Sequence, residues 1–150
     1  MGQGTPKDPN LIPENIKLGV SIYDVIGSFG GNFASGIYTT PSTSVTFTAY
    51  AKSSNALVAY NNRPVTITGL TFKPRMILLY RTDSVPKAFT IYSEDVLFNN
   101  NPASARVFAN ASSECYYVSL DQYAYVTDSA FRLPSGVTST GTSITWIALG

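Results

Sequence analysis

The chain has 150 residues, of which 13% are charged and 13% aromatic, and its formal net charge is +1. Binding to nucleic acid or to an anionic membrane surface needs clustered Lys and Arg, and the ten basic residues here are scattered, which argues against both partners. The absence of histidine removes Ser/His/Asp and Cys/His catalytic sets and the usual zinc sites. The lone Cys115 cannot form an intrachain disulfide, so we expect packing or partners to hold the fold, with no metal or other cofactor.

The first predicted element is a short helix in the segment from residue 11 to residue 29, LIPENIKLGVSIYDVIGSF. Pro13 suits the first turn of a helix, because its missing N–H would have no partner there and its fixed φ matches the helix. Asn10 is the predicted cap and Gly19 the left-handed stop, so the helix spans about two turns. A helix this short is marginal alone in water, and we expect its apolar side to pack on a neighbouring subunit.

A short strand is predicted directly after this helix. Val20, Ile22 and Val25 alternate with polar residues until Gly27, which is the pattern of a half-buried strand. Residues 1 to 32 are therefore predicted to be an amino-terminal arm and a helix-plus-strand connector. The residues predicted to serve assembly and attachment are Leu11, Ile12, Pro13, Ile16, Val20 and Ile22.

The remainder, residues 33 to 150, reads as β structure throughout. Short β-prone runs separated by Pro, Gly or Asn clusters predict an all-β fold, an antiparallel β-sandwich or jelly-roll-like domain. The predicted strands are Ser44 to Ala51, Ala56 to Tyr60, Val65 to Gly69, Arg75 to Arg81, Ala88 to Tyr92, Arg106 to Asn110, Cys115 to Leu120, Tyr123 to Val126 and Ser143 to Leu149.

Three of these strands carry a pattern that places them in the sheet. The runs Met76 to Tyr80 and Ile144 to Leu149 are apolar on both sides, which predicts two central strands. The strand from Ala88 to Tyr92 alternates phenylalanine and isoleucine with threonine and tyrosine, which predicts a strand with one face in water.

Two segments resemble a known family. The string L-I-P-E-N-I-K-x-G-V-x-I, followed by a Val and a Gly, resembles a segment of minor structural and tail-fibre proteins of phages and prophages that infect Gram-positive bacteria. The usual form continues as FGVTG, whereas this chain has Asp24 in place of the expected glycine. A looser resemblance to domains that end such fibres lies in Gly69 to Pro74, which leads into an apolar strand, and in Ile144 to Gly150.

Tyrosines and polar side chains between residues 110 and 125 are candidate ligand-binding groups. Sugars present apolar C–H faces beside a rim of hydroxyls, so a sugar site needs an aromatic plane next to amide or carboxylate groups. The candidates are Tyr123, Tyr125, Asp121, Gln122 and Asn110, with Tyr92 from a second set that also holds Tyr60, Asn62 and Arg81. Tyrosines on strands also lie commonly at sheet surfaces or subunit interfaces, and that alternative stays open.

The resemblance implies a non-enzymatic virion component, namely a tail-fibre or receptor-binding protein whose β domain attaches to bacterial surface carbohydrate. It implies a homotrimer, made in the host cytoplasm, carried on the tail or the capsid surface and joined to other virion proteins through its amino-terminal segment. One alternative is a capsid decoration or baseplate accessory protein. A carbohydrate-active enzyme is a further alternative, although the acidic pairs Glu94–Asp95 and Asp121–Asp128 have no motif around them.

Overall fold

A computed structural model describes residue 9 and residues 11–16, 20–22, 25–26, 31–51, 53–81, 88–95, 103–108 and 115–150. The chain divides into two compact units, Met1–Asn32 and Phe33–Gly150. Among the described residues, the regular secondary structure is β strand apart from one helical turn near the amino terminus.

That helical turn is a 3₁₀ turn over Pro13–Asn15, preceded by Ile12 in extended conformation with no side-chain cap. The N–H of Ile16 donates to the carbonyl of Pro13, and Ile16 itself has φ −108° and ψ 132°, so the helix ends there. The predicted two-turn helix is therefore wrong, and its predicted cap, Asn10, lies outside the described residues. The segment does form a turn that starts at a proline. It does not extend into a helix, because a short segment forms too few hydrogen bonds to offset the cost of starting one.

The single strand predicted after the helix is also wrong, because the segment forms two strands. Strand β1, Ser21–Ile22, pairs antiparallel with strand β2, Val25–Ile26. The two residues between them, like the predicted stop Gly19, lie outside the described residues.

The second unit forms two antiparallel sheets. In chain order its strands are β3 Phe33–Thr39, β4 Val45–Ala51, β5 Leu57–Asn62, β6 Pro64–Thr68, β7 Met76–Arg81, β8 Phe89–Ser93, β9 Ala103–Phe108, β10 Cys115–Ser119, β11 Tyr125–Val126, β12 Ala130–Pro134 and β13 Ser143–Leu149. The large sheet has the order β3-β13-β7-β8-β9-β10-β4-β5, and the small sheet has the order β11-β12-β6. The predicted all-β, sandwich-like fold is confirmed.

The core is formed by side chains that the two sheets direct toward each other. Alternate residues along each strand point to one face, so one row per strand is buried. The largest fully buried side chains are Phe47, Ile77, Leu79, Val107, Val118 and Ile144 from the large sheet and Val65, Phe131 and Leu133 from the small sheet.

Both strands predicted to be central lie inside the large sheet, β7 between β13 and β8, and β13 between β3 and β7. The prediction missed β3 and β12. Gly36 interrupts the apolar alternation of β3, and it is needed there because a Cβ at this position would lie 2.9 Å from Nε1 of Trp146. Strand β12 ends on Pro134, a residue that usually argues against a strand.

Strand β8 has one buried and one partly exposed face, but the buried residues are the polar members of the pattern. Thr90 and Tyr92 are 0% and 3% exposed, whereas Phe89 and Ile91 are half-buried on the other face. The Thr90 hydroxyl can enter the core because it donates to the carbonyl of Pro134 at 2.7 Å.

Asn62 occupies the point where the chain passes from the large sheet to the small one. Its side chain is 1% exposed, and its Oδ1 accepts hydrogen bonds from Gly136 N–H at 3.0 Å and from the Ser135 hydroxyl at 3.2 Å. Its Nδ2 donates to the hydroxyl of Tyr60 at 2.9 Å. A single carboxamide therefore joins β5 to the segment that follows β12.

Replacing Asn62 with Ala is expected to lower the free energy of unfolding by about 2 to 4 kcal/mol, because it leaves the buried N–H of Gly136 and the hydroxyl of Tyr60 without this partner. The matched control is Asn61→Ala, an exposed residue on the same strand, which we expect to change stability by less than about 0.5 kcal/mol. Urea unfolding of both variants measures the difference. Equal stabilities would contradict a structural role for the Asn62 carboxamide.

Candidate functional site

An open groove of about 700 Å³ runs along the β4–β5 hairpin, at one end of the large sheet. We call it the hairpin groove, and its lining residues are Ser44, Val45, Thr46, Phe47, Thr48, Leu57, Val58, Ala59 and Tyr123. Alternation and register place the side chains of Thr46, Thr48 and Leu57 on one face of the hairpin. The groove thus combines hydroxyl groups with apolar surface.

Tyr123 reaches the groove from the loop that precedes β11. Asp121 Oδ1 accepts hydrogen bonds from the backbone N–H groups of Tyr123, at 2.7 Å, and Ala124, at 3.0 Å. Its Oδ2 accepts from the hydroxyl of Thr48 at 2.8 Å. One carboxylate therefore both shapes the loop and ties it to β4, while the Tyr123 side chain remains 44% exposed.

The pKa of the Asp121 carboxyl results from two opposing effects. Partial burial raises this pKa, but the hydrogen bonds from Ala124, Tyr123 and Thr48 together outweigh burial and hold it below its ordinary value of 3.8. Asp121 is therefore a structural anion that positions the tyrosine.

Tyr123 lines the groove, whereas Asp121 and the other predicted ligand-binding residues are not among its lining residues. Gln122 is exposed in the same loop, and Tyr125 is half-buried on β11, where it pairs with Arg132. Tyr92 packs in the core, so its ring is not accessible to a ligand. Asn110 lies outside the described residues.

Two members of the second predicted set, Tyr60 and Asn62, are buried on the core side of β5. Tyr60 is 8% exposed and stacks on Tyr116 with ring centroids 4.3 Å apart, and Asn62 is the buried carboxamide at the sheet crossing. Both residues therefore hold β5 in place and leave the groove face to threonine hydroxyls.

The acidic pair Glu94–Asp95 is occupied by ion pairs at the surface. Arg75 donates to both carboxylate oxygens of Asp95, at 2.8 and 3.0 Å, and Lys73 pairs with Glu94. The contact with Glu94 raises the pKa of Lys73, and the contact with Asp95 raises that of Arg75. Within the described ranges, no three His, Cys, Asp or Glu side chains group closely enough to hold a metal ion.

In the amino-terminal unit, the predicted attachment residues separate into exposed and buried side chains. Ile12, Val20 and Ile22 are each just over 40% exposed, and Pro13 is also exposed. Leu11 is half-buried and Ile16 is buried. The 3₁₀ turn and the small hairpin therefore present apolar surface.

A second apolar surface lies on the large sheet, on its face away from the core. Phe33, Leu149 and Met76 form a row across β3, β13 and β7, and each is more than 40% exposed. Ile37 lies on the same face of β3 and is exposed as well. We call these four residues the apolar row.

The hairpin side of the groove was missed by sequence reasoning. The signal that could have found it is the run VTFTAYA in β4, in which threonines alternate with buried core residues. The partner loop could not be found from that run, because Thr48 and Asp121 are 73 residues apart in sequence.

Replacing Asp121 with Asn is expected to weaken the dependence of stability on acid pH. Because the folded-state pKa lies below 3.8, the carboxylate contributes stability that is present above that pH and is lost as pH falls through the folded-state value. The difference in unfolding free energy between wild type and Asp121→Asn should thus shrink as pH falls from about 6 to about 2, measured by urea unfolding. Asp128→Asn, which removes an exposed carboxylate nearby, is the control; an unchanged difference for Asp121→Asn would contradict the role assigned to it.

No family model, no curated protein and no solved structure matches the chain. Across the described residues, no helix has the length and apolar character needed to cross a membrane. The hairpin groove and the two apolar surfaces therefore carry the functional interpretation, together with the resemblance of the amino-terminal segment.

Proposed function

We propose that the chain is a non-enzymatic virion component, of the tail-fibre or receptor-binding class, that attaches to carbohydrate on the bacterial surface through the hairpin groove. The observation that carries this proposal is the exposed side chain of Tyr123, which lines the groove with Thr46 and Thr48 and whose backbone N–H is held by Asp121. The attachment class itself comes from the resemblance of the amino-terminal segment.

The chemistry of the groove suits a neutral sugar ring. A pyranose presents an apolar C–H face that packs on an aromatic plane and hydroxyls that exchange hydrogen bonds with polar side chains. Tyr123 and Leu57, both well exposed, offer the apolar surface, and the threonines offer donors and acceptors. A glycosidase would need two carboxylates flanking the bond, and the described residues that line this groove include none.

Attachment through several copies compensates for weak individual sites. When copies are held together, the apparent affinity rises by about 10² to 10⁴ without any new contact. The resemblance implies a homotrimer, joined to other virion proteins by the amino-terminal segment. The exposed Ile12, Val20 and Ile22 support this assignment, because apolar surface on so small a unit favours a protein partner.

A second candidate function is a purely structural one, as a capsid decoration or baseplate accessory protein. The apolar row favours it, because contiguous exposed apolar residues commonly mark protein–protein contacts. In that role the hairpin groove would have no ligand. The Tyr123 side chain would then be needed for carbohydrate attachment but not for the structural function.

Changing Tyr123 to Ala is expected to reduce adsorption of the full chain to Gram-positive cell walls by about tenfold or more, because it removes the exposed aromatic ring from the groove lining. The measurement is the bound fraction of purified protein across a panel of walls. Tyr125→Ala is the matched control: it makes the same substitution two residues away, outside the groove lining, and should adsorb like wild type.

Circular dichroism and thermal unfolding establish that both variants are folded. If wild type adsorbs to a wall and Tyr123→Ala adsorbs equally well, the hairpin groove is not the attachment site. No adsorption to any wall, together with stable incorporation into virions, would favour the structural role.

A further inference from the structure

A second, smaller cleft of about 340 Å³ adjoins the hairpin groove. Its lining residues are Ser44, Asn61, Asn62, Arg63 and Thr138, and Ser44 lines the hairpin groove as well. We call it the Arg63 cleft. Since β4 and β5 run alongside both, a ligand that lies along the hairpin can enter the two together.

Arg63 is held in a fixed position at the sheet crossing. Its Nε donates to the carbonyl of Thr138 at 3.0 Å, and a terminal nitrogen donates to the carbonyl of Ser42. Its own backbone N–H and carbonyl bond to Val137 and Ser135, at 3.4 and 2.9 Å. The guanidinium is therefore oriented in advance, and two of its five N–H groups are used by these carbonyls.

The positive charge of Arg63 has no carboxylate beside it in the part of the chain that the structure describes. Neither cleft has an acidic residue in its lining, and Arg63 is the one charged side chain among the lining residues of both. The neighbouring carboxylate of Asp121 bonds to Thr48, at the opposite end of the hairpin groove from Ser44. Ser44 and Thr48 are four residue steps apart in the sequence, a length of about 13 Å in extended backbone.

We propose that the Arg63 cleft is an anion subsite of the hairpin groove, so that the ligand is a glycan bearing a carboxylate or a phosphate group. This inference rests on the proposed function. A guanidinium binds either anion through paired, charge-assisted hydrogen bonds, which are stronger than neutral ones. The anionic group lies at Arg63 and a neutral ring lies on Tyr123, so the two ends of the groove give the ligand a direction.

The test is calorimetric titration of the full chain with two matched pairs of tetrasaccharides. One pair is a glucuronic-acid-containing tetrasaccharide and its carboxyl-reduced form, and the other is a phosphorylated tetrasaccharide and its unphosphorylated parent. We expect the anionic member of at least one pair to bind about tenfold more tightly than its neutral match. Which pair shows the preference distinguishes a uronate from a phosphate.

Arg63→Gln is expected to abolish this preference, so that the two members of each pair bind with the same affinity. Arg75→Gln, which removes an equally positive side chain outside both clefts, is the control and should keep the preference. If Arg63→Gln fails to fold, the salt dependence of wild type serves instead, because raised ionic strength should weaken binding of the anionic member alone.

Equal affinity within both pairs, or a preference that survives Arg63→Gln, would overturn the anion subsite. In either case, binding of the neutral sugars that is lost in Tyr123→Ala would leave the proposed function intact. Absence of binding by all four sugars would overturn the subsite, and the cell-wall adsorption of wild type would then decide the proposed function separately.

Discussion

The rest of the β domain depends on how the buried carboxamide of Asn62 is satisfied where the chain leaves one sheet for the other. A polar group buried without partners costs free energy, so the bonds to Gly136, Ser135 and Tyr60 fix where the crossing can occur. Gly136 has φ +80°, a left-handed conformation that favours glycine, and a Cβ there would crowd its neighbours. The crossing therefore needs both a glycine at position 136, for its backbone conformation, and the Asn62 carboxamide, for its hydrogen bonds.

This crossing places both halves of the candidate site. Strand β5 ends at the crossing, and its pairing with β4 determines which face of the hairpin carries Thr46 and Thr48. Arg63 is the residue that directly follows β5. From the other side, Asp121 ties its loop to β4 and positions Tyr123. The hairpin groove is thus lined by neutral residues, including threonine hydroxyls, and it adjoins the positive charge of Arg63 in the Arg63 cleft. Packing and hydrogen bonds hold these side chains in place.

Strand positions were largely predictable because they follow from local alternation, and the last strand was predicted with its observed bounds. Local sequence patterns did not predict the positions whose structure depends on a contact with a residue far away in the sequence. Thr90 is buried because Pro134 accepts its hydroxyl, and Gly36 belongs to a strand because Trp146 packs over it. In the site, Tyr123 and Asp121 were found from composition, but the hairpin that they face depends on a contact between residues far apart in sequence.

Attachment through the hairpin groove is tested most directly by mapping where a sugar touches the folded chain. The measurement is the change in backbone amide resonances of the ¹⁵N-labelled protein during titration with soluble wall polysaccharide from a bacterium to which it adsorbs. We expect the largest changes at Thr46, Thr48, Ala59 and Tyr123, which line the groove. Changes confined to the apolar row, with the groove resonances unmoved, would contradict this function.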